Sequence, residues 1–293
     1  MYAVSAQVND LEVVNVPLDV AKDFKLRPEA INDTLGQDAA IKLVYICSPG
    51  NPTAKLIEKE DLRKVLEHPT WNGVVVLDEA YVDFCPDGTS LAEWVVEWPN
   101  LVVMQTLSKA FGLAGIRLGA AFTSPPIARL LNNIKAPYNV SSLTSTLACA
   151  ALQGNHLNVM RVHREKIIKQ RERLLKELPQ IQGVGKFLGG QASNFLLVQF
   201  LDQPKEKGGQ PSNEVALAAY ERLAAIKGVV VRFRGTQLGC VGCLRITVGT
   251  EREVDTLLAH MRAVLHEIIS QDSKCIEQND EKRAELRADE VVA

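Results

Sequence analysis

The chain has 293 residues, a formal net charge of −2 and an apolar fraction of 46%. That length suits one large domain with a smaller companion, and a near-neutral balance gives no footing for nucleic acid or an anionic membrane. No apolar run is long enough to span a bilayer, the start lacks a secretory pattern, and the six scattered cysteines draw no disulfide framework, so the expectation is a soluble cytoplasmic protein.

Met1 to Asp10 reads as an amphipathic piece, and Leu11 to Val16 as a short strand. Pro17 to Gln37 is polar connection with a helical turn opening at Pro28, a residue suited to a first helical position. Lys42 to Ile46 is a buried-type strand that runs into Cys47-Ser48-Pro49-Gly50-Asn51-Pro52-Thr53, a loop stiffened by two prolines. A helix is expected over Glu58 to Glu67. The next strand, Val74 to Leu77, ends in Asp78-Glu79-Ala80-Tyr81, and Ser90 is placed to cap a helix reaching Glu97. A third strand, Leu101 to Met104, breaks into Thr106-Leu107-Ser108-Lys109-Ala110-Phe111-Gly112. Gly119 to Ser124 is a further strand, and Pro125 opens a helix. Ser141 to Leu152 is rich in small residues and reads as a buried helix; His156 to Leu178 is a long charged one.

This alternation of helices with uniformly apolar strands argues for an α/β fold: a mostly parallel sheet covered on both faces. Beyond the glycine-rich turn Pro179 to Gln191 the pattern changes. Strands at Phe195 to Phe200, Val229 to Phe233 and Leu244 to Val248 frame a helix at Ser212 to Lys227, and Thr250 caps a last helix to about Ser270. The expected division is a large domain over 1–180, a smaller α+β domain over 181–270 and a charged, disordered tail over 271–293.

In parallel sheets, ligands bind beyond the carboxyl ends of the strands. Asn51, Asp78 and Lys109 each fall just past such an end, so three successive strands deliver three different chemistries to one edge. A lysine desolvated there suits Schiff-base formation, and Thr106, Ser108 and Arg117 supply hydroxyls and a planar cation that suit a phosphate. A carboxylate such as Asp78 keeps the pyridine nitrogen of pyridoxal phosphate protonated, and Tyr81 or Asn51 can meet that cofactor's phenolic oxygen. The plain alternatives are a surface lysine, a strand-end aspartate capping a turn and an ordinary half-buried aromatic. Arg232 and Arg245 each lie between apolar residues, and a buried arginine needs an anion, whether a protein carboxylate or a ligand. Cys240-Val241-Gly242-Cys243 lacks a second ligand pair and precedes a strand, so it reads as two small packing residues; His156 and His163 read as surface residues. No metal is expected.

The stretches Ser48 to Thr53, Asp78 to Tyr81 and Thr106 to Phe111 with Arg117 resemble fold-type-I, aspartate-aminotransferase-like enzymes. Asp83-Phe84-Cys85, Ala136-Pro137-Tyr138-Asn139 and Gly242 to Thr250 narrow the likeness to the histidinol-phosphate aminotransferase group, over Met1 to about Ile269. The resemblance implies that Lys109 carries pyridoxal 5′-phosphate, that Asp78 meets its pyridine nitrogen, and that Tyr81 and Asn51 meet its oxygen. It implies Thr106, Ser108 and Arg117 for the cofactor phosphate, and Arg245, with Arg232 and Asn194, for the substrate. The implied reaction converts histidinol phosphate and 2-oxoglutarate to imidazole acetol phosphate and glutamate, carried out by a homodimer. Another aminotransferase of the fold, a threonine-phosphate decarboxylase and an inactive fragment are the alternatives. Two departures stand out. Ala54 replaces the group's usual glycine, and Met1 aligns well inside its large domain, so the N-terminal arm and the aromatic that stacks on the cofactor are expected to be missing.

Overall fold

The computed structural model describes residues 2–290, with side chains as far as Ser270. The charged tail expected to be disordered over 271–293 is instead backbone of the last helix as far as Glu290, and 291–293 lie outside the described residues. The first sheet has the order β1 (Leu43–Cys47), β2 (Val74–Asp78), β3 (Leu101–Thr106), β4 (Gly119–Thr123). The first three run parallel and β4 is antiparallel to β3. Register places Cys47 opposite Asp78 and Asp78 opposite Met104, so the carboxyl ends of β1, β2 and β3 finish together.

One face of this sheet carries the core. Ile46, Val75, Leu77, Leu101 and Val103 share it by the two-residue alternation of strands. They pack under α2 (Pro28–Gln37), through Ile31 and Leu35, and α3 (Lys59–Leu66), through Leu62, Val65 and Leu66. Trp71, Trp94 and Trp98 close the rim. Pro28 starts a full three-turn helix rather than a single turn. The helix expected near Ser90 is a 3₁₀ segment, Ala92–Val96.

The expectation of a sheet covered on both faces is corrected at its borders. Leu43 and Tyr45 of β1 and Phe122 of β4 are exposed. α1 (Tyr2–Val8) buries no residue, and the strand expected at Leu11 to Val16 does not form: Leu11, Val13 and Val14 are exposed and find no partner strand. α4 (Pro125–Ile134) opens at Pro125 as expected, whereas α5 (Ser142–Ala151) departs from expectation. α5 was expected to be buried, yet only its Ala148 is, and Leu143 and Leu147 face outward.

α6 (Gly154–Glu177) leads to a second sheet with the order β5 (Val184–Leu188), β6 (Phe195–Phe200), β8 (Cys243–Thr247), β7 (Arg232–Phe233), all antiparallel. Its core is larger. Leu196, Val198, Phe200, Leu244 and Ile246 meet α7 (Asn213–Lys227) and α8 (Glu251–Glu290), with Leu174 and Leu178 from the end of α6. Ser212 caps α7 by accepting from the Val215 N–H at 3.2 Å. Thr250 and Glu253 form a reciprocal capping box at the start of α8.

Two expectations are corrected here. The region Pro179 to Gln191 is not all turn: it holds β5, whose Gly185 lies against the Leu201 side chain and so tolerates no bulk. The strand expected over Val229 to Phe233 shrinks to two residues at the sheet edge, and this leaves Arg232 exposed rather than buried. Cys240 and Cys243 are free thiols packed with Phe24 and Leu197, the packing role expected of them. His156 and His163 lie on the exposed surface of α6.

Candidate active site

Two backbone bridges fasten the second sheet to the loop after β1, and a third bond ties it to Asp23, ahead of α2. Gly190 N–H donates to the Thr53 carbonyl at 2.8 Å, Ala192 N–H to the Ala54 carbonyl at 3.1 Å, and Gly189 N–H to an Asp23 carboxylate oxygen at 2.7 Å. Gly189 sits at φ +78°, and a Cβ there would lie 2.0 Å from the Thr53 carbonyl oxygen. Only glycine permits that approach. Ala54 adopts φ +50°, so the left-handed geometry that a glycine would serve is taken here by alanine.

These bridges bring the ends of the first sheet against β8. Lys109 Nζ lies 5.2 Å from the centroid of the Tyr81 ring. Tyr81 meets Phe195 edge to face at 5.1 Å, and the Arg245 guanidinium lies 5.1 Å from the centroid of the Phe195 ring. Arg245 then donates to the Asn51 side-chain oxygen at 2.7 Å. Lys109, Tyr81, Phe195, Arg245 and Asn51 thus form one continuous row of contacts, drawn from both sheets. Asp78 closes β2 three residues before Tyr81 and accepts the Ala80 N–H at 2.9 Å.

Arg245 is an electrostatically unsatisfied cation. Burial pulls its pKa down, and the nearby positive charges of Arg234 and Arg232 push the same way while Tyr81 opposes. Its Nε is buried without a partner, as is that of Arg234. A half-buried guanidinium with free donors is prepared for an anionic ligand. Arg232 pairs with Arg245 across β7 and β8, but its guanidinium turns to the Val231 carbonyl. Asn194 holds the adjoining corner: its carbonyl accepts the Val248 N–H at 2.8 Å and its side-chain oxygen faces Ser193.

Thr106 and Ser108 lie together, with hydroxyls 2.9 Å apart, and the Ser108 N–H reaches the Thr106 oxygen at 3.1 Å. Arg117 precedes Leu118, whose carbonyl accepts the Thr106 hydroxyl at 3.2 Å, but at φ +53° its own guanidinium donates to the Ala114 carbonyl and the residue is exposed. Lys109 is exposed too, which corrects the expectation of a lysine desolvated by the protein alone. The strand ends before it, so its side chain projects over the sheet edge rather than into the core.

Several residues escaped the sequence. Glu79 is 2% exposed and accepts from Ser90 at 2.6 Å, Leu91 N–H at 2.7 Å and Gln105 at 2.9 Å, locking the ends of β2 and β3 together. Phe195 reads only as a strand residue, yet it joins the two halves of the row. Tyr2 reaches Asp78 with its hydroxyl and lies against Tyr45, and no local signal in the first ten residues marks it. Among the described residues no group of three or more His, Cys, Asp or Glu is placed to hold a metal, and no helix is long and apolar enough to cross a membrane.

Residues 1–261 match the family described as aminotransferase class I and II. The chain is 54% identical to the histidinol-phosphate aminotransferase of Schizosaccharomyces pombe over 91% of its own length and 68% of that protein. It is 46% identical to the enzyme of that name from Saccharomyces cerevisiae, over 92% and 68%. A solved histidinol-phosphate aminotransferase from Sinorhizobium meliloti, in complex with pyridoxal-5′-phosphate, superimposes with a TM-score of 0.78 at 25% identity, covering 91% of this chain and 68% of that one.

Proposed function

The chain belongs to the class I and II aminotransferase family, and on that footing we propose that it transaminates histidinol phosphate, using pyridoxal 5′-phosphate and 2-oxoglutarate. The observation that carries the reading is the row Lys109, Tyr81, Phe195, Arg245, Asn51 with Asp78 beside it. The donor set fits the cofactor: an amine, a carboxylate, a phenol, an amide and two adjacent hydroxyls on one sheet edge and, across from them, a half-buried guanidinium with no carboxylate partner among the described residues. The chemistry that pyridoxal 5′-phosphate supplies when bound is an electron sink for the substrate α-carbon.

Each residue then has a task. Lys109 Nζ would hold the cofactor and, as a free amine, would take the proton from the substrate α-carbon. The Asp78 carboxylate holds a proton at the cofactor ring nitrogen. Tyr81 and Asn51 orient the cofactor's phenolic oxygen, and Phe195 excludes water behind Tyr81. Thr106, Ser108 and Arg117 bind the cofactor phosphate, for which the Arg117 guanidinium exchanges its Ala114 carbonyl for the anion. Arg245, aided by Arg232 and Asn194, binds the anionic end of each substrate: the phosphate of the amino donor and a carboxylate of the 2-oxo acid.

The reading includes a homodimer, supported by the outward Leu130, Leu131, Ile134, Leu143 and Leu147. It includes a cytoplasmic setting, where the thiols of Cys240 and Cys243 stay reduced. It divides the chain at about residue 180 into a large and a small domain, each with its own core. The test is glutamate formation from 2-oxoglutarate with histidinol phosphate, aromatic amino acids or threonine phosphate offered side by side. Turnover of histidinol phosphate above the others supports the assignment. Preference for another amine, or carbon dioxide release from threonine phosphate, sinks it.

A further inference from the structure

Resting on that proposed function, the geometry points to Tyr2 as a positioning residue that fixes the Asp78 carboxylate against the cofactor ring nitrogen. The Asp78 Oδ1 accepts the Ala80 N–H at 2.9 Å, and Oδ2 accepts the Tyr2 hydroxyl. A carboxylate held at both oxygens cannot swing about its terminal torsion. Each oxygen can accept more than one hydrogen bond, so two donors leave room for a third, the ring N–H of a bound pyridinium.

The Tyr2 hydroxyl is aimed by its own ring. That ring lies 4.7 Å from the Tyr45 ring, tilted by 35°, on the exposed face of β1. α1 fully buries none of its residues, and the contacts of Tyr2 tie the helix to the sheet edge. A residue serving only to cover Tyr45 needs no hydroxyl, since phenylalanine gives the same ring. The groups that face Tyr2 are Asp78, Cys47 and Tyr45. Burial is the largest cause raising the Tyr2 phenol well above its ordinary pKa, followed by the bond to Asp78 and its charge, so the phenol remains a donor throughout the working range. Accurate orientation of a charged acceptor matters because small misplacement of a site group weakens every later step.

The experiment is Tyr2→Phe, which removes the hydroxyl and keeps the ring. Dissociation constants are measured by equilibrium dialysis for pyridoxal 5′-phosphate and for its 1-deaza analogue, in which CH replaces the ring nitrogen. The expected result is a loss of about five- to tenfold for the natural cofactor, the lower end for a charged hydrogen bond that water partly reaches, with the analogue unchanged. Equal weakening of both means a merely structural role and overturns the proposal. So does no change, or tighter binding, which makes Tyr2 a competitor of the cofactor.

A cofactor-free measurement decides the matter even if the wild-type chain binds no cofactor, an outcome that sinks the proposed function alone. The Tyr2 phenol is titrated by ultraviolet difference between the wild type and Tyr2→Phe, then again in an Asp78→Asn background. Tyr2 is expected to stay protonated past the pH at which ordinary tyrosines ionise, and its midpoint to fall toward theirs when the Asp78 charge is removed. An unmoved midpoint means the hydroxyl does not engage Asp78, and the positioning role fails.

Discussion

Glu79→Ala should unfasten the edge on which the site is built. The wild-type carboxylate is buried and accepts three hydrogen bonds, from the Ser90 hydroxyl, the Leu91 N–H and the Gln105 amide. The Leu91 N–H belongs to a residue that is itself buried, so its loss of an acceptor costs about 1–3 kcal/mol. Ser90 and Gln105 are half-buried and keep a bond to each other at 2.9 Å, so each adds only about 0.5 kcal/mol. The one buried methylene that alanine lacks adds about 0.8 kcal/mol, and relief of the carboxylate's own desolvation offsets part of the total. The expected loss is about 3 kcal/mol, against about 1 kcal/mol for Glu79→Gln, which keeps an oxygen for the Leu91 N–H. Urea unfolding read by tryptophan fluorescence measures it cleanly, because Trp71, Trp94 and Trp98 all pack on the first sheet's core. With an m-value of about 3 kcal/mol per molar, the Ala midpoint falls by about 1 M. Equal losses for Ala and Gln, or an Ala loss under about 1 kcal/mol, refute the reasoning.

Arg245→Gln should lower kcat/KM for histidinol phosphate by about 30- to 1,000-fold, and Arg245→Lys should recover little of it because the fork is lost; steady-state kinetics with both variants check this. Gly189→Ala, which sets a Cβ 2.0 Å from the Thr53 carbonyl at φ +78°, should destabilise by more than about 2 kcal/mol and loosen the junction that carries Arg245 to Asn51, read as a lower melting temperature and a higher KM. Burial pushes the Cys47 thiol up to about 11, with the Asp78 charge adding to it, and burial likewise lifts Cys85 to about 11. As pH rises from about 9 toward 11 the unfolded chain releases these protons while the folded chain keeps them, so stability falls across that window; replacing both thiols by alanine should flatten the decline.

The first sheet was legible because its strands are short, apolar and end in polar residues of distinct chemistry. Asp78 and Lys109 were found by that coincidence alone, and the loop through Asn51 by its prolines. What could not be read was whatever depends on distant contact. Glu79 looks like a solvated acid beside Asp78 until Ser90 and Gln105 fold over it. Phe195 joins the row only because the second sheet docks on the first. The extent of burial was the weakest inference. α5 and Leu11 to Val16 carry the apolar composition of packed elements, but packing needs a partner surface, which composition cannot supply. β5 was hidden by Gly185 within it and by Gly183, Gly189 and Gly190 around it, which sit where other segments approach closely. Arg232 and Arg245 look alike in sequence; an edge strand of two residues frees one, and an inner strand half-buries the other.

The central claim is that Lys109 is the residue that holds pyridoxal 5′-phosphate. The direct measurement is the visible absorbance of the purified chain with that cofactor, before and after borohydride, beside Lys109→Ala, followed by mapping of the reduced label. The account predicts a band in the wild type that borohydride abolishes, a label on the peptide containing Lys109, and no such band in Lys109→Ala. A band that persists in the variant, a label on another lysine, or a folded wild-type chain with no lysine-dependent band would contradict it.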